Sequence, residues 1–237
     1  EASEGGKDYP YHRTLKVLWE RDYAPHQRDD GSHPGAKVAE LLYVTGADED
    51  FLVMVGTSSG YGSTFGGYGD SMVPVRKSGH DADGFITKLD PLTGEVLNSP
   101  KNANNTNWKS SMRILSQPDK DDIIHGACLD IDNKFIYVVG STTGIMDSLM
   151  QRSNEDVQLP FVAKLSLHSL ELQWKTQLTT SKGMRAAATG CSSLPDGDGV
   201  YVAGTVQNGD VIYPWRNMDL KPLSKGMDDI FLLRLDG

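Results

Sequence analysis

Asp130, Asp132 and Asn133 lie close enough in sequence to offer oxygens to one calcium ion, as do Asp196 and Asp198. A calcium site takes about 6–8 oxygens, and an EF-hand-like loop ends in a bidentate Glu. Neither cluster has that Glu at the expected place. Both fall between apolar runs, where Asp and Asn favour tight turns by bonding their own backbone. They read as turn residues, and no metal is expected. Among the six histidines, His125 opens an apolar run and is the candidate base. No Ser/His/Asp or Cys/His set can be placed around it, so it reads as a packed strand residue. No catalytic residue and no cofactor is expected. The two cysteines, Cys128 and Cys191, lack zinc-ligand spacing. They read as small buried apolar residues, with a disulfide left open because geometry decides it.

Recognition chemistry is easier to find. Gly60–Asp70 interleaves Tyr61, Phe65 and Tyr68 with glycines, an adaptable surface able to stack on a ligand. No helix pattern follows it, as a phosphate cradle would need. His80 lies further along the same stretch, and Tyr213 and Trp215 occupy a comparable stretch later. These six residues are the candidate binding set, with a protein or a glycan as partner. Asn104-Asn-Thr106 matches the glycosylation sequon, which makes Asn104 the candidate acceptor on a secretory route.

The elements that must position these residues recur. Phe85–Asp90, Phe161–Ser166 and Phe231–Asp236 share one pattern. Val55-Gly56, Val139-Gly140 and Ala203-Gly204 share another, each pair followed by a Thr or Ser. Each unit reads as four strands. The first two form hairpins: Lys37–Tyr43 with Phe51–Gly56, Ile123–Asp130 with Phe135–Gly140, and Arg185–Ser192 with Val200–Gly204. The Phe segment is the third strand. It is apolar at adjacent positions, as a strand buried on both faces should be. Its cation (Lys88, Lys164, Arg234) is expected to reach outward or pair with a local carboxylate. Fourth strands are expected at Glu95–Leu97 and Glu171–Trp174. The third unit stops at Gly237, and Leu15–Trp19 matches the missing strand in character, so it is expected to close that sheet. Long insertions fall at Tyr61–Gly84, Ile145–Pro160 and Asp210–Asp228. Asn98–Lys120 is a further one, expected to loop out on the surface.

The net charge of −9 and the lack of any Lys/Arg block exclude the usual nucleic-acid binder. No run approaches the roughly 18 apolar residues of a membrane helix. The sequence opens at Glu1, as expected of a mature or excised segment.

With these motifs in view, "DGFITKLDPLTGEVL", "PFVAKLS", "DDIFLLRLDG" and "VYVAGT" resemble the repeats of bacterial-type seven-bladed β-propeller (SBBP) proteins. They are more loosely similar to quinoprotein-like propeller repeats. The resemblance implies an extracytoplasmic binding or scaffolding role. The adjacent cysteine pair of quinoprotein dehydrogenases has no counterpart here. The expected fold is all-β: a propeller or partial propeller of three four-stranded antiparallel blades, with the long loops on one rim. Residues 11–237 form a single domain, with units at about 36–97, 121–178 and 183–237, 15–19 as closing strand and 1–10 as a tail. Closed propellers have about 4–8 blades, so further blades are expected from the same chain or a second copy. The expected role is a non-enzymatic binding or scaffolding module of an extracellular or lumenal assembly. The alternatives are a quinoprotein-like or hydrolytic enzyme with its site at the channel mouth, and a structural segment of a larger polymeric protein.

Overall fold

The computed structural model describes residues 20, 36–45, 50–59, 82–97, 111–114, 120–146, 157–180, 184–197, 199–207, 211–212 and 228–236. The regular structure among them is strand, with no helix. The first sheet comprises β1 (Ala36–Val44), β2 (Phe51–Ser59), β3 (Ala82–Leu89) and β4 (Ser111–Ile114) in that order. The second comprises β5 (Asp122–Leu129), β6 (Phe135–Thr142), β7 (Leu159–Ser166) and β8 (Leu172–Gln177). The short β9 (Thr179–Thr180) follows. The third sheet has β10 (Ala186–Ser193), β11 (Gly199–Gln207) and, beyond the short β12 (Val211–Ile212), β13 (Asp228–Asp236). All pairings are antiparallel, and β12 pairs with β9.

Each sheet starts with the same device. The first two strands pair as a hairpin whose register slips once, after Val38, Ile124 and Ala188, leaving Ala39, His125 and Thr189 as the extra residues of β-bulges. Opposite each slip stands a glycine: Gly56, Gly140 or Gly204. A Cβ on any of the three would run into a backbone carbonyl (Lys37, Ile123, Ala187) and into the ring of Phe85, Phe161 or Phe231. The phenylalanine is the cross-strand partner of its glycine in every sheet. Bare backbone at the glycine makes room for the ring, and that explains the paired sequence motifs.

The sheets stack face to face in chain order. Val53, Val55 and Ile86 of the first sheet share a core with Ile124, Val138 and Phe161 of the second. The opposite face of the second sheet (Tyr137, Val139, Val162) shares a core with Ala188, Val202 and Phe231 of the third. In each junction the first strand of the later sheet lies across the earlier one: β5 against β1, β2 and β3, and β10 against β5, β6 and β7. At roughly 25 cal/mol per Å² of apolar area removed from water, these junctions are the main stabilising contacts between sheets.

Three expectations need correction. Glu95–Leu97 makes only a single bridge, Leu89 to Val96, because Gly94 (φ 71°) turns the chain sharply back. The fourth strand of the first sheet is instead β4, which lies inside the stretch expected to be a surface loop and pairs with Gly84–Thr87. The first sheet therefore extends past Leu97. Second, β3 and β7 are buried on both faces as expected, but β13 alternates between buried and exposed, because no described residue covers its outward face. Third, Lys88 does not reach outward; it is fully buried. Leu15–Trp19 lies outside the described residues.

Candidate functional site

Three bonds between sheets show which strand ends lie together. The Ala82 amide donates to Asp121 Oδ1 (2.8 Å), the Ile124 amide to Thr57 Oγ1 (2.9 Å), and the Ala186 amide to the Gln158 carbonyl (3.0 Å). They tie the start of β3 to that of β5, and the approach to β7 to the start of β10. The ends of β2, β6 and β11, from which the long connections leave, thus gather at one end of the stack.

An open groove of about 200 Å³ lies at that end, on the strand ends of the third sheet beside Gln158 at the approach to β7. Ala186, Ala187 and Val206 form part of its lining. Gln158, Arg185, Thr205, Gln207 and Asp228 add one positive charge, one negative charge, two amides and a hydroxyl. The Gln207 amide donates to the Arg185 carbonyl (2.8 Å), which fixes the backbone of the wall. Gln207 and Asp228 are cross-strand partners, and they bracket the connection that carries Tyr213 and Trp215. Balanced charge and paired amides suit the hydroxyls of a sugar or the backbone of an extended peptide. Sequence reasoning missed these lining residues. The available signal was their position on the strand ends that flank an insertion.

His125 is on the same end, in the bulge of β5. Its Nε2 and Ser141 Oγ are 2.9 Å apart, the donor being set by the tautomer. Burial, then the charge of Lys37, lower its pKa from the ordinary 6.5. The imidazole is therefore neutral near pH 7, but Ser141 is fully buried and closed to a substrate. The pair fastens the bulge to β6.

In the first of the expected turns Asp130 does backbone work. Asp130 Oδ1 accepts the amides of Lys134 and Phe135, both at 2.7 Å, and Asn133 takes the left-handed conformation (φ 54°). Asp132 pairs with Lys134 on the surface (2.9 Å). No cluster of three or more His, Cys, Asp or Glu able to hold a metal exists among the described residues. Asp198 lies outside them.

The third-strand cations have three different surroundings. Lys88 Nζ donates to the His168 carbonyl in the turn of the second sheet (2.7 Å) and lies 5.6 Å from the Phe51 ring centre. Burial lowers its pKa to about 7. Lys164 lies over Phe135 (4.6 Å) and Tyr137 (5.3 Å), while Arg234 pairs with Asp236 in solvent (3.0 Å).

Cys128 and Cys191, read from sequence as small apolar residues, are joined in a disulfide, with Cα atoms 5.8 Å apart. The bond crosses the junction between the second and third sheets. Tyr61, Phe65, Tyr68, His80, Tyr213, Trp215 and Asn104 lie outside the described residues. Set against known proteins, the chain matches no family model and no curated sequence.

Proposed function

We propose that the three sheets are blades of a β-propeller and that the chain is a non-enzymatic binding or scaffolding module of an extracellular or lumenal assembly. It takes a protein or glycan partner at the rim. The gathering of the strand ends around an open polar groove carries this reading. That end of the stack combines hydrogen-bonding groups with three long connections of the chain, and rigid scaffolds typically present recognition residues in that way. The aromatics of 61–80 and 213–215 would add stacking area to the groove.

The disulfide supports the compartment, because such bonds persist in oxidising environments and are rare in the cytosol. The likeness of the strand motifs to SBBP repeats agrees with both parts of the proposal. Leu15–Trp19 is proposed as the fourth strand of the third blade, beside β13.

A glycan array and binding assays with extracellular-matrix proteins test the proposal. The chain is compared with a variant in which residues 61–80 and 213–226 are replaced by short Gly/Ser linkers and with an Arg185→Ala, Asp228→Ala double variant. These cuts leave β3 and β13 whole. Binding should vanish in the first variant and weaken in the second. Full binding by both would remove the rim from consideration.

A further inference from the structure

We infer that copies of this chain bind one another end to end, β1 of one copy lying over the outer face of the third sheet of another. Two copies joined in this way at both ends would close a ring of six sheets. The contact rests on the stacking of the sheets; only the closure rests on the propeller reading, since six falls within the roughly 4–8 blades of a closed ring.

The argument comes from comparing one set of positions in three sheets. Val55, Val139 and Ala203 each precede the bulge-facing glycine, and Ile86, Val162 and Leu232 each follow the phenylalanine. In the first two sheets these positions are buried to 1% exposure or less, because the next sheet covers them. On the third sheet Leu232 is 70% exposed, Ile230 85% and Tyr201 40%. Tyr201 holds the place that Tyr137 holds, fully buried, in the second sheet. The third sheet thus carries the apolar face of a sheet with a successor.

The other end of the stack carries the matching half. In both internal junctions the covering element is the first strand of the later sheet. On β5 the covering residues include Ile124 and Ala127, both buried. Val38 and Leu41 hold the same register positions on β1, opposite Gly56 and Met54, yet they are 52% and 51% exposed. Two apolar strips, whose counterparts in the neighbouring sheets pack inside this molecule, are covered by no described residue and lie at opposite ends.

Polar groups repeat the match. Thr57 accepts the Ile124 amide across the first junction. Thr205 stands where Thr57 does, directly after the glycine, and would accept the Val38 amide of a second copy. Arg234 stands where Lys88 does, and Lys88 donates to a carbonyl of the following sheet. Because the two surfaces differ, the contact is heterologous, and it yields a closed ring if the rotation closes and a filament if it does not.

Sedimentation analysis of the 237-residue chain over a concentration series tests this, with Ile230→Asp and Leu41→Asp as end-specific variants. Both positions are solvent-exposed in the single copy, so circular dichroism and a thiol titration should show the fold and disulfide unchanged. The native chain should reach a limiting mass of two copies. Each variant should dissociate at least roughly tenfold more readily, from the lost apolar burial and the buried charge. Mixing the two variants should restore a two-copy species through the one undamaged contact, and Thr205→Val should weaken native pairing about fivefold. A native chain that stays single at every concentration would overturn the inference. Dimerisation lost with Ile230→Asp and kept with Leu41→Asp would also overturn it, in favour of a face-to-face contact of two third sheets. A mass that grows without limit would overturn the closure.

Discussion

Gly140→Ala should be among the most damaging one-carbon changes in the molecule. The new Cβ would stand 2.7 Å from Cε1 of Phe161 and nearer still to the Ile123 carbonyl. The Phe161 ring is fully buried in the first junction and has little freedom to turn away. The carbonyl precedes the bulge in the paired part of β5 and moves only if β5 and β6 part. Overpacking of this kind costs about 1–3 kcal/mol, and a backbone obstacle puts this case at the upper end. For a chain of this length about 3 kcal/mol is a fall in Tm of roughly 6–12 °C. Two internal controls sharpen the test. At Gly126 a Cβ would meet the Thr189 carbonyl at 3.2 Å, a contact that small shifts relieve. At Gly190, also in a first strand beside a bulge, it would meet nothing within 4 Å. Gly190→Ala should be neutral or should stabilise by up to about 1 kcal/mol through the unfolded chain. Urea unfolding with the disulfide intact, followed by tryptophan fluorescence, gives the order directly. Adding Phe161→Leu to Gly140→Ala should recover only part of the loss, because the carbonyl clash remains. If Gly140→Ala proved as stable as Gly190→Ala, the bulge–glycine–phenylalanine account of the sheets would fail.

Three other perturbations read separate parts of the structure. Lys88 has its folded pKa lowered from 10.5 to about 7, so above pH 7 the unfolded chain binds more protons than the folded one. Stability should therefore rise with pH between about 7 and 10.5, by at most about 1.4 kcal/mol per pH unit; denaturant titrations of the native chain and Lys88→Met check this, and identical slopes would refute it. Replacing Cys128 and Cys191 by Ser opens a crosslink spanning 63 positions, a loss of about 4 kcal/mol on the chain-entropy account, measurable as a lower urea midpoint than that of the unreduced native chain. Asp130→Ala removes the acceptor of two backbone amides and should cost about 1–3 kcal/mol, with faster hydrogen exchange at Lys134 and Phe135 and partial recovery in Asp130→Asn.

Features set by local register were legible in the sequence. The three hairpins, the Asp130–Asn133 turn and the third strands depend on residues within one sheet, and their patterns carried over into the structure. What escaped was decided by neighbouring sheets. Lys88 has the sequence surroundings of a solvent-reaching cation, and only the arrival of the His168 turn over it makes it a buried one. Within their own sheets the cysteines read as ordinary small apolar residues; they face one another because the second and third sheets meet there. β4 was missed because Ser111–Ile114 is a short segment in a polar stretch, and its partner strand is far away in sequence. The aromatic candidates could be named from composition alone, whereas the groove depends on how two sheets abut at their ends, which no single strand encodes.

The three cations show how far position in the stack overrides residue type. Lys88, Lys164 and Arg234 hold the same place relative to the third-strand phenylalanine, two of them being the same amino acid. Lys88 has a whole sheet above it, loses its solvent and gains a carbonyl. Lys164 keeps partial exposure, above two aromatic rings. Among the described residues no sheet lies above Arg234, and it pairs with Asp236 in water. An exposed pair of that kind contributes little, about 0–1 kcal/mol, so nothing local requires a long cation at 234. The requirement would come from a covering sheet, as it does at Lys88. By the same reasoning Ile230 and Leu232 gain nothing from their present surroundings: an uncovered strand face is normally polar, and edge-facing apolar side chains favour unwanted association. The outer face of the third sheet is therefore composed as an internal surface. Its chemistry is accounted for once another β1-like strand is laid across it, and it has no local explanation as a surface that always faces solvent.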